Sequence, residues 1–206
     1  MKKALLGLAI GALGVAPAAA APPTVSLKAA PTVVSYGGAT TLSGTLSTGR
    51  AGQSIDILAQ ECGQTAFKKV ASATTTTGGG FSVAVKPTLN TTYEAKQKGA
   101  TSPVAGVKVS PVVTVKKLSR GKFSATVTAA QSFVGKYVVF QRRGSTKWRT
   151  VKKVTLTTVA TTTAPTQVTT AKFSVRIVRH PKVRVLLPAA QAGSCYLPTK
   201  SPAVRS

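Results

Sequence analysis

Three sets of residues in this chain are equipped for chemistry: one histidine, two cysteines and three carboxylates, set against 28 lysines and arginines. Hydrolysis needs a base, a nucleophile or paired carboxylates at workable spacing. His180 precedes Pro181 and reads as a turn residue. Asp56, Glu61 and Glu94 sit in the first half with no partner pattern, and no phosphate-binding loop, Gly-x-Ser-x-Gly or Cys–His arrangement is present. These residues predict no enzyme, no metal site and no cofactor. The chemistry that remains is cationic. Arg142, Arg143, Lys147, Arg149, Lys152 and Lys153 crowd around Trp148, the one tryptophan, within QRRGSTKWRTVKK. An aromatic among cations is a platform on which bases or sugar rings stack while the charges hold anionic groups. The same tryptophan also reads as simple packing across a hairpin.

The elements behind these residues repeat. Shifted by 81 positions, residues 42–70 align without a gap on residues 123–151. Gln60 meets Gln141, Gly63 meets Gly144, Phe67 meets Trp148 and Val70 meets Val151. A Thr-rich insertion at 159–169 interrupts the second copy. The match then resumes with Phe81-Ser82-Val83 against Phe173-Ser174-Val175. Apolar residues alternate along each segment, as at Ile55, Ile57 and Ala59, between glycine-bearing turns such as Tyr36-Gly37-Gly38 and Cys62-Gly63-Gln64. That is the period of antiparallel strands with one buried face. About seven short strands per copy predict an all-β chain of two tandem immunoglobulin-like sandwiches, over residues 21–109 and 110–206. QECGQTAFKKVAS, residues 60–72, is then the first copy of the basic hairpin with little of its charge. Phe67 and Val70 are three apart, as are Trp148 and Val151, so a regular strand points them to opposite faces. A bulge or a half-exposed aromatic resolves the conflict, and a half-exposed aromatic is predicted.

The first unit resembles the bacterial Ig-like repeats of secreted actinobacterial proteins. The resemblance lies in Tyr36-Gly37-Gly38, Leu42-Ser43-Gly44, Phe67 with Val70-Ala71, and Gly80-Phe81 with Val85 and Pro87. The second unit departs from it, lacking the first glycines and a counterpart of Pro87. The resemblance implies the fold and export; such families are mostly binding or spacer modules.

Lys2 and Lys3, an apolar run from Ala4 to Val15 and the small residues Ala18-Ala19-Ala20 predict a signal peptide over 1–20, cut after Ala20. No later apolar run is long enough for a membrane helix. Leu197-Pro198-Thr199-Lys200 lacks the glycine of a sortase signal. The product is expected to be secreted, extracellular or cell-wall associated. In that setting Cys62 and Cys195, one per unit, favour a disulfide joining the units across Lys108-Val109-Ser110-Pro111; an intermolecular bridge or two free thiols are the alternatives.

Charge is uneven between the units. Residues 21–109 carry eight cations and all three acids, whereas residues 110–206 carry eighteen cations and no acid. Such a field attracts polyanions without choosing among their sequences. Anionic cell-wall polymers, acidic polysaccharide and non-specific DNA are the expected partners. A spacer whose charge only keeps it soluble and wall-associated is the competing reading. A membrane-active cationic protein would need an amphipathic segment, and none is visible.

Overall fold

The computed structural model describes residues 21–160, 163–178 and 180–206. The expected signal peptide, residues 1–20, lies outside them. The described residues are all-β apart from one helical turn, and their strands fall into four sheets.

Residues 28–110 supply β1 (Lys28–Ala30), β2 (Val33–Ser35), β3 (Thr40–Thr45), β4 (Ser54–Glu61), β5 (Lys68–Thr74), β6 (Gly80–Val85), β7 (Thr91–Gln97), β8 (Ala100–Thr101) and β9 (Ala105–Ser110). One sheet has the order β1-β3-β6. The other runs β2-β9-β7-β4-β5, with β8 paired to β7. Residues 112–205 supply β10 (Val112–Ser119), β11 (Lys122–Ala129), β12 (Tyr137–Arg143), β13 (Trp148–Thr155), β14 (Thr158–Ala160), β15 (Gln167–Ser174), β16 (Lys182–Leu187), the turn α1 (Ala189–Ala192), β17 (Thr199–Lys200) and β18 (Val204–Arg205). They form one sheet of order β10-β11-β15-β14. A second runs β13-β12-β16-β17, with β18 also on β16.

One pairing departs from the antiparallel expectation. β2 runs parallel to β9, with Val33 beside Lys108 and Val34 beside Val109. Pro31 has no N–H to continue the ladder between β1 and β3. The chain therefore leaves that sheet and joins the edge of the facing one, beside the strand that closes the first half.

The period-two residues do the burying. Leu42, Ile55 and Ile57 are buried in the first half, and Phe123, Val138 and Phe140 in the second. Phe140 of one sheet lies 5.0 Å, ring centre to ring centre, from both Phe123 and Phe173 of the facing sheet. Face-to-face packing of two sheets through such side chains is what holds a layered β fold together.

Both copies of the hairpin contain a bulge. In the first, Ile57 pairs with Ala71 and Leu58 with Lys69, leaving Val70 unpaired. In the second, Phe140 pairs with Lys152 and Gln141 with Thr150, leaving Val151 unpaired. The extra residue resets the alternation. Trp148 and Phe67 are half-buried, and Val70 and Val151 are exposed.

Candidate functional site

The basic hairpin is β12 and β13, joined by a turn in which the Gly144 N–H donates to the Lys147 carbonyl, 2.8 Å. Paired residues on neighbouring strands share a face. Val138 and Phe140 are buried, so their neighbours Tyr137, Val139, Gln141 and Arg143 point outward. Opposite them on β13 stand Thr155, Lys153, Thr150 and Trp148. The seven residues singled out by sequence are thereby divided. Arg143, Trp148 and Lys153 lie on the outer face. Arg142 and Arg149 pair with each other on the opposite side, beyond the end of the core. Lys152, opposite Phe140, reaches the edge of the facing sheet, with Nζ 3.4 Å from the Ser174 carbonyl. Lys147 is in the exposed turn.

The outer face gains cations that hairpin spacing does not reveal. On β16, Arg184 pairs with Gln141 and Leu186 with Val139. Lys182 alternates in phase with both. Lys200 pairs with Leu186, and Arg205 with Lys182. Arg143, Lys153, Lys182, Arg184, Lys200 and Arg205 therefore share one sheet face.

Trp148 organises part of this face. The Arg184 guanidinium lies over its ring, 4.1 Å from the centroid, and that of Arg143 lies 5.8 Å away. Arg184 Nε also donates to Gln141 Oε1, 2.9 Å. Burial, and then the charge of Arg143, hold the Arg184 pKa below its ordinary value. Lys153 Nζ lies 5.0 Å from the Tyr137 ring centre. Cations resting on aromatic faces gain electrostatically from the ring quadrupole. The indole is thus covered by guanidinium and is not a free stacking platform.

The first half has charge on its matching face but pairs two of its lysines there with carboxylates. Lys69 Nζ meets Asp56 Oδ1 at 2.6 Å, and Lys96 Nζ meets Glu94 Oε1 at 2.8 Å. Hydrogen bonding from Lys69 keeps the Asp56 carboxyl below its ordinary pKa. The repeat then exposes a substitution. Asp56 aligns with Tyr137. Leu58, opposite Glu94, aligns with Val139, opposite Leu186. Both carboxylates are replaced, one by an aromatic and one by an apolar residue, and no acid remains in the second half.

A second constellation joins the two halves. Cys62 is bonded to Cys195. Beside the bridge, the buried Asn90 side chain accepts from the Val109 N–H (2.8 Å) and donates to the Ser194 carbonyl (2.9 Å), while its own N–H donates to the Cys195 carbonyl (3.0 Å). The Leu197 N–H donates to the Val109 carbonyl, 2.8 Å. Tyr36, of the Tyr-Gly-Gly motif, shares a hydrogen bond with Thr166 of the insertion, 3.0 Å. No local sequence pattern singles out Asn90 for this role. His180 has a positive φ, and its Nδ1 lies 2.9 Å from the Ser206 carbonyl. Among the described residues no group of three or more His, Cys, Asp or Glu side chains is arranged to hold a metal, and no helix is long and apolar enough to cross a membrane.

No protein-family model matches the chain. No curated protein matches it either. One similar solved structure is described as a tetra-tandem repeat in the extending region of a large adhesion protein. It is 12% identical, with a TM-score of 0.38, and the match covers 90% of this chain and 49% of that one. The chain thus spans about half the length of that structure.

Proposed function

We propose that this chain is an exported, non-enzymatic binding module, made of two tandem immunoglobulin-like sandwiches dividing at residues 109 and 110, that holds polyanions through its basic second half. The sandwich assignment is supported by two facing sheets in each half and by the order β2-β9-β7-β4-β5 against β1-β3-β6. Export is supported by the Cys62–Cys195 disulfide, a bond that persists in oxidising compartments. A non-enzymatic role is supported by the use of both cysteines in that bond and by the pairing of Asp56 and Glu94 with lysines.

The observation that carries the binding reading is the loss of both carboxylates from the outer face of the second half, which leaves six cations there without an internal counter-charge. Such a field costs stability through self-repulsion and is relieved by an external polyanion. With about six contacts, affinity should fall by roughly 10³-fold as salt rises from about 50 to about 200 mM. Retention of the purified chain on anionic wall material, on DNA and on a neutral glucan, measured against salt, tests this. Retention on the anionic matrices alone, lost with salt, is expected. Equal retention on the neutral glucan, or none on any matrix at low salt, refutes it.

A spacer role is the second reading. It is favoured by the covalent and hydrogen-bonded junction around Asn90, which fixes one half against the other whether or not either binds anything.

A further inference from the structure

We infer that the outer face of the sheet β13-β12-β16-β17/β18 is a docking surface for a linear polyol-phosphate chain, and that Trp148 is a positioning residue holding Arg143 and Arg184 ready for its phosphates. This rests on the polyanion reading and adds a face, a ligand class and a role for the tryptophan.

The face comes from the strand register. Lys182 pairs with Arg205, and one residue beyond the Arg142–Val183 pair Arg143 comes alongside Lys182. A row of Trp148, Arg143, Lys182 and Arg205 therefore crosses four strands, about 14 Å at the usual strand spacing of about 4.8 Å. Arg184 lies in the adjacent row, and Lys153 and Lys200 close the far side. Alternate residues along a strand are about 6.6–6.8 Å apart. The cations form a two-dimensional grid to which a flexible chain can fit its charges.

The ligand class comes from the aromatic rings. Single-stranded nucleic acids and acidic sugars gain affinity by laying rings on exposed aromatic faces. Here Arg184 lies over Trp148 and Lys153 over Tyr137. The rings are occupied by the cations that would meet the ligand, so a ringless polymer of phosphodiesters loses nothing on this face. A rigid DNA duplex is convex and meets a sheet along a line, engaging a few of the six cations. A flexible polyol-phosphate reaches them all. Arg143 and Arg184, held around one indole with no carboxylate between them, present planar donor forks suited to phosphate oxygens.

The experiment uses the full chain and three probes: poly(glycerol phosphate), polygalacturonate and a 20-base-pair duplex DNA. Trp148 is the single tryptophan, so its emission reports from the face itself. Two variants remove equal charge: Arg143→Ser/Lys182→Ser/Arg184→Ser on the face, and Arg142→Ser/Arg149→Ser/Lys152→Ser on the opposite side. Poly(glycerol phosphate) should alter Trp148 emission and bind most tightly per charge. The face variant should weaken it about 10-fold or more, and the opposite variant less than about 3-fold. Trp148→Ala should weaken binding without changing its salt slope, because no charge is lost, and Trp148→Tyr should restore it. Equal weakening by both triple variants, or unchanged wild-type emission at saturation, overturns the face while leaving the polyanion reading intact. Tighter binding of polygalacturonate or duplex overturns the ligand class. Wild-type affinity in Trp148→Ala overturns the positioning role. Binding of none of the three probes at low salt overturns both readings.

Discussion

At the scale of single residues, two buried phenols make stability depend on alkaline pH. Tyr93 packs in the first half. Tyr196 lies near the junction, where its hydroxyl accepts the Ala130 N–H at 2.9 Å and its ring packs 6.0 Å from that of Phe133. Burial pushes the pKa of each up to about 12. The unfolded phenol titrates near 10. The folded state therefore favours the protonated form. The associated stability is complete below about pH 10 and is lost as pH rises from there through about 12. Urea unfolding at a series of pH values should show this fall, and Tyr93→Phe, which has no proton to lose, should make it shallower. An identical pH slope in the variant would show that Tyr93 is not the source of the fall.

Elements show why repeated strands do not carry interchangeable residues. Gly44 on β3 aligns with Ala125 on β11, and both positions point inward. A methyl group at 44 would run into the Ser26 carbonyl and the Phe81 ring, because the N-terminal segment crosses there through the Val25–Leu46 bridge. Gly44→Ala should therefore cost about 1–3 kcal/mol, as overpacking does. Ala125→Gly should cost about 0.5–1 kcal/mol from lost strand preference plus the small cavity. Denaturant midpoints of the two variants test this, and equal effects would mean that Ser26 moves aside freely. The repeat was legible because the offset of 81 residues preserves alternation, turn glycines and bulged valines together. The parallel β2–β9 pair was not, since an edge strand's direction depends on which sheet the chain joins after Pro31. The candidate face was half legible. Trp148 and its neighbours stand together in sequence, but the bulge assigns them to two sides. Arg184 joins Trp148 only through the β12–β16 pairing, a contact across 43 residues from Gln141 that no local pattern announces.

Across the whole molecule, all the acids are in one half and the excess cations in the other, and the two are fastened at a single junction. The bridge separates Cys62 from Cys195 by 133 residues, and closing so long a loop is worth about 5 kcal/mol in the chain-entropy model. That figure applies in full only if both halves unfold together. Each half has its own pair of sheets and its own buried side chains, and no strand of one pairs with a strand of the other among the described residues. The bridge should therefore protect the junction more than the interiors. With Cys62→Ser and Cys195→Ser together, hydrogen exchange should quicken at the Asn90, Val109 and Leu197 amides, whose acceptors or anchors cross the junction. The Ile57 and Phe140 amides, inside the central ladders, should stay protected. Equal acceleration at Ile57 and Phe140 would show instead that the halves fold as one unit, and the candidate face would then depend on an intact disulfide. Protection retained at Phe140 places the face on a second half that keeps its shape after reduction, so that the bridge governs where the cations are held and not whether they are aligned.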